Sequence, residues 1–211
     1  MPLRVLLSVI ALASGAIHIR AEYRGPRWAV YLTKPLTTLL ILLVAVVAPA
    51  PQSTAYQVVV AIALMFSLFG DVFLMLPQDR FLAGLVSFLL AHLAYLTAFT
   101  GDTRGVMPVA IGLPILAIAI GAYAFLAPGL GRRRIPVLAY ALVISFMLWT
   151  AWGRALRFPE PRTFSAGIGA SLFFVSDGLL AFHRFRAHQQ WGQAAILSTY
   201  YLAQLLLAWS V

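Results

Sequence analysis

The chain has 211 residues, of which 62% are hydrophobic, 10% are charged and none is cysteine, and its formal net charge is +9. Soluble domains are roughly 45–50% apolar and about 25% charged, so this composition excludes an ordinary soluble domain. The absence of cysteine excludes disulfides, thiolate nucleophiles and cysteine-based metal sites. The basic residues lie almost wholly between apolar runs, as membrane proteins place them, so we predict no nucleic-acid binding.

Long apolar runs recur along the whole chain, and each is typical of a transmembrane helix. The runs are continuous rather than alternating, which predicts helices and not the strands of a barrel. We therefore predict an all-α polytopic membrane protein with one domain over residues 1–211. The predicted spans are 3–19, 29–49, 56–76, 81–99, 106–126, 135–153, 164–182 and 191–210. Glycines and prolines are expected to end helices at Gly25-Pro26, Pro49-Ala-Pro51, Pro77, Pro128-Gly129 and Pro159-Glu-Pro161.

Basic residues are divided unequally between the two ends of these spans. The loops after spans one, three, five and seven hold ten: Arg20, Arg24, Arg27, Lys34, Arg80, Arg132, Arg133, Arg134, Arg184 and Arg186. The opposite end holds five: Arg4, Arg104, Arg154, Arg157 and Arg162. The positive-inside rule then puts the first set in the cytoplasm and both termini outside it. The inner membrane of a bacterium is the expected location.

Two aspartates stand inside apolar runs, Asp71 in the third predicted span and Asp177 in the seventh. A carboxyl group at membrane depth is costly unless it is paired, neutralised or hydrated, so each is a candidate functional residue. Asp71 lies five residues before Leu76, and Asp177 lies five before Phe182. Each is therefore expected about 7–8 Å inside the same end of its helix. The small residues of span seven, between Ala166 and Ser171, favour close packing of that helix.

The spacing of the two aspartates also indicates an internal repeat. They are 106 residues apart, about half of the 211-residue chain, and the same offset relates Tyr95 to Tyr201 and Leu74 to Leu180. Four spans per half would make the two repeats parallel, related by an axis along the membrane normal. The sequence thus predicts a 4+4 parallel repeat.

Three roles for the aspartates are open from the residues alone. They could be structural, bonded to serines or neighbouring hydroxyls. They could form a cation or proton path in an ion-coupled transporter. Or they could be an acid–base pair, in which one carboxyl stays protonated while the other is ionised.

Other polar side chains are expected near the aspartates and are candidate binding residues. Lys34 is the only lysine and is predicted at the cytoplasmic start of span two, as a membrane-interface anchor or as a phosphate contact. The remaining candidates are His18, His92, Tyr95, Tyr200 and Gln204. Each could equally be an interhelical hydrogen bond. Together they predict a polar cavity that opens to the cytoplasmic leaflet.

No metal site is predicted. The histidines are His18, His92, His183 and His188, and the last two are five residues apart, which does not suit two ligands on one helical face.

Three short motifs carry a resemblance to a known family. Lys34-Pro35, Gly70-Asp71 with Leu74, and Ser176-Asp177-Gly178-Leu179-Leu180-Ala181, in this order and spacing, resemble the YhhN/TMEM86 family of eight-span membrane proteins. The resemblance covers essentially the whole chain. It implies lysoplasmalogenase activity, which is hydrolysis of the vinyl ether of a 1-alkenyl lysophospholipid to a fatty aldehyde and a glycerophospho-alcohol.

A vinyl ether is cleaved by acid, so the resemblance implies a carboxylic acid that protonates the β-carbon and a carboxylate that stabilises the cation and activates water. It assigns these roles to Asp71 and Asp177, assigns the phosphate of a lysophospholipid to Lys34, and requires no cofactor. The rival prediction is an ion-coupled transporter or a lipid-binding membrane protein, since fold membership does not by itself fix activity.

Overall fold

The computed structural model describes residues 2–101, 108–187 and 191–211, which contain eight α-helices and no strand. The helices are α1 (Pro2–Arg24), α2 (Arg27–Val46), α3 (Thr54–Met75), α4 (Phe81–Thr100), α5 (Val109–Leu130), α6 (Arg134–Arg157), α7 (Pro161–Phe185) and α8 (Gly192–Trp209). A 3₁₀ turn over Gly131–Arg133 joins α5 to α6. The all-α prediction is confirmed. Arg104 and His188, which enter the predictions of orientation and metal binding, lie outside the described residues.

Proline and glycine end most of the helices where the sequence predicts it. The exception is Pro128-Gly129, because α5 continues through both residues to Leu130. A proline removes one backbone hydrogen bond, and neighbouring groups in a membrane protein can satisfy the freed carbonyl. The helix ends instead before Gly131, whose φ of 52° lies in the left-handed region that glycine adopts without steric cost.

The helices present an apolar surface, as membrane lipid requires. Six helical segments are long and apolar enough to cross a membrane: Pro2–Arg24, Arg27–Val46, Thr54–Met75, Phe81–Thr100, Val109–Arg157 and Pro161–Phe185. The fifth segment has 49 residues because it contains both α5 and α6 with the turn between them. The chain is therefore a polytopic helical membrane protein, and its crossing by eight separate spans stays a prediction.

At one end of the bundle, α1, α3, α5 and α7 end and α2, α4, α6 and α8 begin. We call it the arginine-rich end, because it carries Arg24, Arg27, Arg80, Arg132, Arg133, Arg134, Arg184 and Arg186. Phe81 at the start of α4 packs edge-on against Phe185 at the end of α7, with ring centroids 5.6 Å apart. The hydroxyl of Tyr23 at the end of α1 accepts a hydrogen bond of 2.9 Å from the backbone N–H of Ala194 in α8. The helix ends at this face therefore form one connected surface.

Small residues let two helix pairs approach closely. A Cβ on Gly70 of α3 would lie 2.5 Å from the ring of Phe88 in α4. A Cβ on Gly169 of α7 would lie 3.0 Å from the carbonyl oxygen of Ala203 in α8. Each pair contains one aspartate helix, so Asp71 and Asp177 are held by tightly packed neighbours.

Two predicted positions need correction. Lys34 does not lie at the start of a helix, because α2 begins at Arg27 and continues through Pro35, and Lys34 is buried two turns inside it. The two aspartates also differ in their distance from the helix ends. Asp71 precedes the last residue of α3 by one turn, about 6 Å, whereas Asp177 precedes that of α7 by about 12 Å. The reason is that α7 extends to Phe185, beyond its apolar stretch.

Candidate active site

A cavity of about 850 Å³ opens at the arginine-rich end, where α3 and α7 end and α4 and α8 begin. Asp71 and Asp177 both line it. The other lining residues include the polar side chains Lys34, Ser176, Gln193 and Tyr200 and the apolar side chains Leu74, Phe88, Leu180, Ile196 and Leu197. Its mouth contains charged residues of the α3–α4 linker and of the end of α7. The structure therefore brings both aspartates to one open cavity.

Asp71 is almost fully buried, with 2% of its surface exposed, and accepts hydrogen bonds from two helices. The hydroxyl of Thr38 in α2 donates to Oδ2 at 2.5 Å, and the hydroxyl of Tyr200 in α8 donates to the same oxygen at 2.7 Å. The ammonium of Lys34 lies 3.9 Å from Oδ1. All three partners are donors, which is the arrangement that suits a carboxylate acceptor.

A second layer supports the Asp71 cluster from behind. The amide of Gln204 donates to the hydroxyl oxygen of Tyr200 at 3.2 Å, and the hydroxyl of Tyr95 donates to the amide oxygen of Gln204 at 2.8 Å. Tyr95 and Gln204 are fully buried. This chain of bonds fixes the orientation of the Tyr200 hydroxyl toward Asp71.

Asp177 has a separate set of partners. The hydroxyl of Tyr140 in α6 donates to Oδ2 at 2.5 Å, and Nε2 of His92 in α4 lies 3.0 Å from the same oxygen. Nε2 of His92 is also 2.8 Å from the Tyr140 hydroxyl. Nε2 donates to these oxygens or accepts from them, depending on the tautomer of His92 and on whether Asp177 is protonated. The side chain of Asp177 is 13% exposed, more than that of Asp71 at 2%.

Two phenylalanines connect the aspartate clusters. The ring of Phe173 packs edge-on against His92, with centroids 4.6 Å apart, and against Tyr200 at 5.5 Å. Phe88 packs edge-on against Phe173 at 6.1 Å and lines the cavity. The carboxylates therefore face a shared space over an apolar aromatic wall.

A narrow apolar cleft of about 50 Å³ adjoins the cavity on the side of Asp177. It is lined by residues of α3, α4, α6 and α7, among them Leu74, Leu85, Val137, Tyr140 and Ala181. Asp177 lines both the cavity and the cleft, whereas Asp71 lines only the cavity.

The predicted site residues are divided by this geometry. Lys34 and Tyr200 line the cavity beside Asp71. His92, Tyr95 and Gln204 lie behind the cavity wall. His18 of α1 does not line the cavity. It faces α8, where its Nδ1 is 2.6 Å from the Tyr201 hydroxyl, and its Nε2 is 3.2 Å from Glu22 of α1. Whether these residues bind substrate stays a prediction.

The sequence-based site lacks two residues that contact the aspartates directly, Thr38 and Tyr140. The sequence contains a spacing that points to each of them. Thr38 follows Lys34 by four residues, on the same face of a helix. Tyr140 lies 106 residues after Lys34, the offset that also relates the two aspartates.

Comparison with known proteins identifies the family. The YhhN family model matches residues 29–211. A protein of Escherichia coli O6:H1 named "Uncharacterized membrane protein YhhN" is 30% identical over 210 residues, which cover 98% of this chain and 99% of that protein. No solved structure matches the chain.

Mammalian proteins match as well. Lysoplasmalogenase TMEM86B of Mus musculus is 36% identical over 189 residues, which cover 86% of this chain and 75% of that protein. Lysoplasmalogenase TMEM86A of Bos taurus is 36% identical over 159 residues, which cover 71% of this chain and 63% of that protein. The resemblance seen in the sequence is thus confirmed, and the chain belongs to the YhhN family.

Proposed function

We propose that the chain is an intramembrane hydrolase that cleaves the vinyl ether of a lysoplasmalogen to a fatty aldehyde and a glycerophospho-alcohol. The observation that carries this proposal is the position of Asp71 and Asp177 on one cavity, each with its own hydrogen-bond partners. The name Lysoplasmalogenase of the TMEM86A and TMEM86B relatives supports the substrate class.

The reaction needs one water and two carboxyl groups. A carboxylic acid donates its proton to the β-carbon of the vinyl ether, and the double-bond electrons form the new C–H bond. The resulting oxocarbenium ion takes a water oxygen at its α-carbon, and the second carboxylate accepts the proton that this water releases. The hemiacetal then breaks its bond to the glycerol oxygen, which receives that proton. The hemiacetal hydroxyl returns a proton to the first carboxylate, so both groups are restored.

We assign the acid to Asp177 and the base to Asp71. The cleft beside Asp177 is apolar and suits the first carbons of an alkenyl chain next to the double bond, and the β-carbon is the vinyl atom on the chain side of the ether. Asp71 is faced by an ammonium and two hydroxyl donors, which suit a group that stays a carboxylate and stabilises the developing cation. In this assignment Lys34 acts on Asp71 rather than on the phosphate.

The finer features of the architecture belong to the same proposal. One eight-span domain over residues 1–211 would cross the bacterial inner membrane with both termini outside the cytoplasm and the cavity open to the cytoplasmic leaflet. A 4+4 repeat is supported by the partners of the aspartates. The hydrogen-bond partners of Asp71 in α3 lie in α2 and α8, and those of Asp177 in α7 lie in α6 and α4. A shift of four helices relates α3 to α7, α2 to α6 and α4 to α8, so it converts one arrangement into the other.

The test is an assay of the purified protein in detergent with a 1-alkenyl lysophosphocholine. We expect fatty aldehyde and glycerophosphocholine in equal amounts. The saturated 1-alkyl analogue should stay intact because it has no double bond to protonate, and the 1-acyl analogue should stay intact because the site has no ester chemistry in this proposal. Absence of aldehyde, with aspartate-dependent ion flux in proteoliposomes, would support the transporter instead.

A further inference from the structure

Three arginines surround the mouth of the cavity. Arg80 precedes the first residue of α4, and Arg184 and Arg186 lie at the end of α7. All three line the cavity together with one mouth carboxylate, Asp79. The mouth therefore carries an excess of positive charge. Nothing in the proposed cleavage uses it, because the reacting bond would lie deeper, between the aspartates.

Two of these arginines are held in place by neighbouring groups. Arg184 makes a two-pronged ion pair with Asp79, with Nη2 at 2.6 and 2.7 Å from the two carboxylate oxygens, and its guanidinium lies 5.1 Å from the ring centre of Phe81. Arg186 donates to the backbone carbonyl of Phe125 and lies over its ring at 4.4 Å. Fixed guanidinium groups lose less conformational freedom when they bind a ligand.

Arg80 differs from the other two. Its side chain is exposed and makes no hydrogen bond or ion pair with any residue in the described ranges, and it also gives no side-chain cap to α4. No residue of the described ranges thus occupies its donors, and a ligand can take them. Arg80 follows Asp79 in the chain, so it lies beside the Arg184 ion pair at the same rim.

Lys34 is the other cation of the cavity, and the structure separates it from this group. It is buried in α2 with its ammonium 3.9 Å from Asp71. The sequence-based assignment of the phosphate to Lys34 assumed a position at the membrane surface. The arginines of the mouth lie at helix ends instead, where we expect the membrane surface.

We propose that Arg80, Arg184 and Arg186 form a phosphate-binding site for the headgroup of a lysophospholipid at the mouth of the cavity. A guanidinium matches phosphate oxygens with paired N–H donors. The proposal rests on the proposed hydrolase function for its substrate class, and it sets the direction in which the substrate enters. The phosphate lies at the rim, the vinyl ether lies between the aspartates, and the chain extends toward the apolar cleft.

The spacing along α7 agrees with this direction. Arg184 follows Asp177 by two helical turns, about 10 Å. A three-carbon glycerol backbone and an extended arginine side chain together cover that length. A bound lysophospholipid can thus reach both groups at once.

The test measures binding of two ligands that the enzyme cannot cleave. One is a 1-O-alkyl lysophosphocholine, and the other is the 1-O-alkylglycerol with the same chain and no phosphate. Arg80→Ala should raise the Kd of the phosphate ligand about tenfold, as loss of a hydrogen bond to a charged group predicts, and leave that of the alkylglycerol unchanged. Arg80→Lys should recover part of the loss. Equal weakening of both ligands, or no weakening of either, overturns the proposal.

Arg132→Ala is the matched control. Arg132 is exposed at the same end of the bundle but does not line the cavity, so it reports general attraction between basic residues and lipid. Both Kd values should stay at the wild-type level. A competition experiment identifies the source of the phosphate. If a chain-bearing lysophospholipid displaces bound 1-O-alkyl lysophosphocholine and inorganic phosphate does not, the site binds a lipid headgroup. Displacement by inorganic phosphate at the same concentration overturns that assignment.

A kinetic measurement separates this proposal from the hydrolase function. With a cleavable lysoplasmalogen, Arg80→Ala should raise KM and leave kcat unchanged, since it removes binding that is equal in the ground and transition states. If the wild type gives no aldehyde yet binds in a phosphate-dependent way, the hydrolase function is overturned and the phosphate site stands. If 1-alkenylglycerol is cleaved as efficiently as lysoplasmalogen, the phosphate site is overturned and the hydrolase function stands.

Discussion

The ammonium of Lys34 lies 3.9 Å from Oδ1 of Asp71, and the two side chains are only 8% and 2% exposed. An ammonium and a carboxyl group with so little exposed surface stabilise each other, and removal of one partner from a buried pair typically costs about 3–5 kcal/mol. The hydroxyls of Thr38 and Tyr200 stay on Asp71, so the loss should lie near the lower figure.

We therefore predict that Lys34→Met lowers the thermal stability of the purified protein, as does Asp71→Asn. The double variant should lose less than the sum of the two, because neither charge is then left alone. A double-mutant cycle of melting temperatures in one detergent measures this coupling. Strictly additive losses would contradict an interaction between the two groups.

Asp71→Asn and Asp177→Asn should each abolish most vinyl-ether cleavage. Asparagine keeps the shape of the side chain, but it has no carboxylic proton and no negative charge. Loss of a general acid or base typically costs about 10²–10⁴-fold in rate, and the double variant should be little slower because the two groups act as a unit. Aldehyde release at saturating lysoplasmalogen is the measurement.

Glu160→Gln is the control for the aspartate variants, since Glu160 is an exposed acidic residue at the opposite end of the bundle. It should keep wild-type activity. Wild-type activity in either asparagine variant would remove that aspartate from the mechanism.

Tyr140→Phe tests the support of Asp177. The Tyr140 hydroxyl donates to Oδ2 of Asp177 at 2.5 Å, and it should stabilise the charge that forms there when the proton leaves. We expect kcat to fall by about ten- to a hundredfold, as loss of a hydrogen bond to a charged group predicts. KM should stay unchanged, since the charge exists only after substrate is bound.

The matched control for Tyr140 is Tyr123→Phe. The Tyr123 hydroxyl donates to the backbone carbonyl of Arg134 and does not contact either aspartate. The kcat of Tyr140→Phe should therefore fall clearly below that of the Tyr123→Phe control. A rise in KM alone for Tyr140→Phe would indicate a substrate contact rather than support of Asp177.

Orientation in the membrane can be measured with single cysteines, because the natural chain has none. Gln78 is exposed in the linker at the arginine-rich end, and Ala50 is exposed at the other end. In intact cells, an impermeant thiol reagent should label Ala50→Cys and spare Gln78→Cys, since the arginine-rich end is expected in the cytoplasm. Both should react in permeabilised cells. The reverse pattern would invert the topology without changing the site.

Several elements of the site follow from sequence alone for a clear reason. A carboxylate within an apolar run is visible without knowledge of the fold, and Asp71 and Asp177 are such residues. Lys34 is recognisable as the only lysine, but its burial beside Asp71 is not, because the predicted span 29–49 contains Lys34 without showing which neighbour that face of the helix contacts.

What the sequence by itself determined is therefore local: the helices of the described ranges in their order, and the two aspartates within apolar runs. Apolar run length decides the helices, since in lipid the backbone must satisfy its own hydrogen bonds. The tertiary structure alone decided which side chains meet. In it, Thr38 and Tyr200 contact Asp71, Tyr140 and His92 contact Asp177, and His18 contacts Tyr201. The physical reason is that lipid-facing and buried faces of a membrane helix are both apolar, so hydrophobic periodicity does not reveal how each helix is rotated against its neighbours.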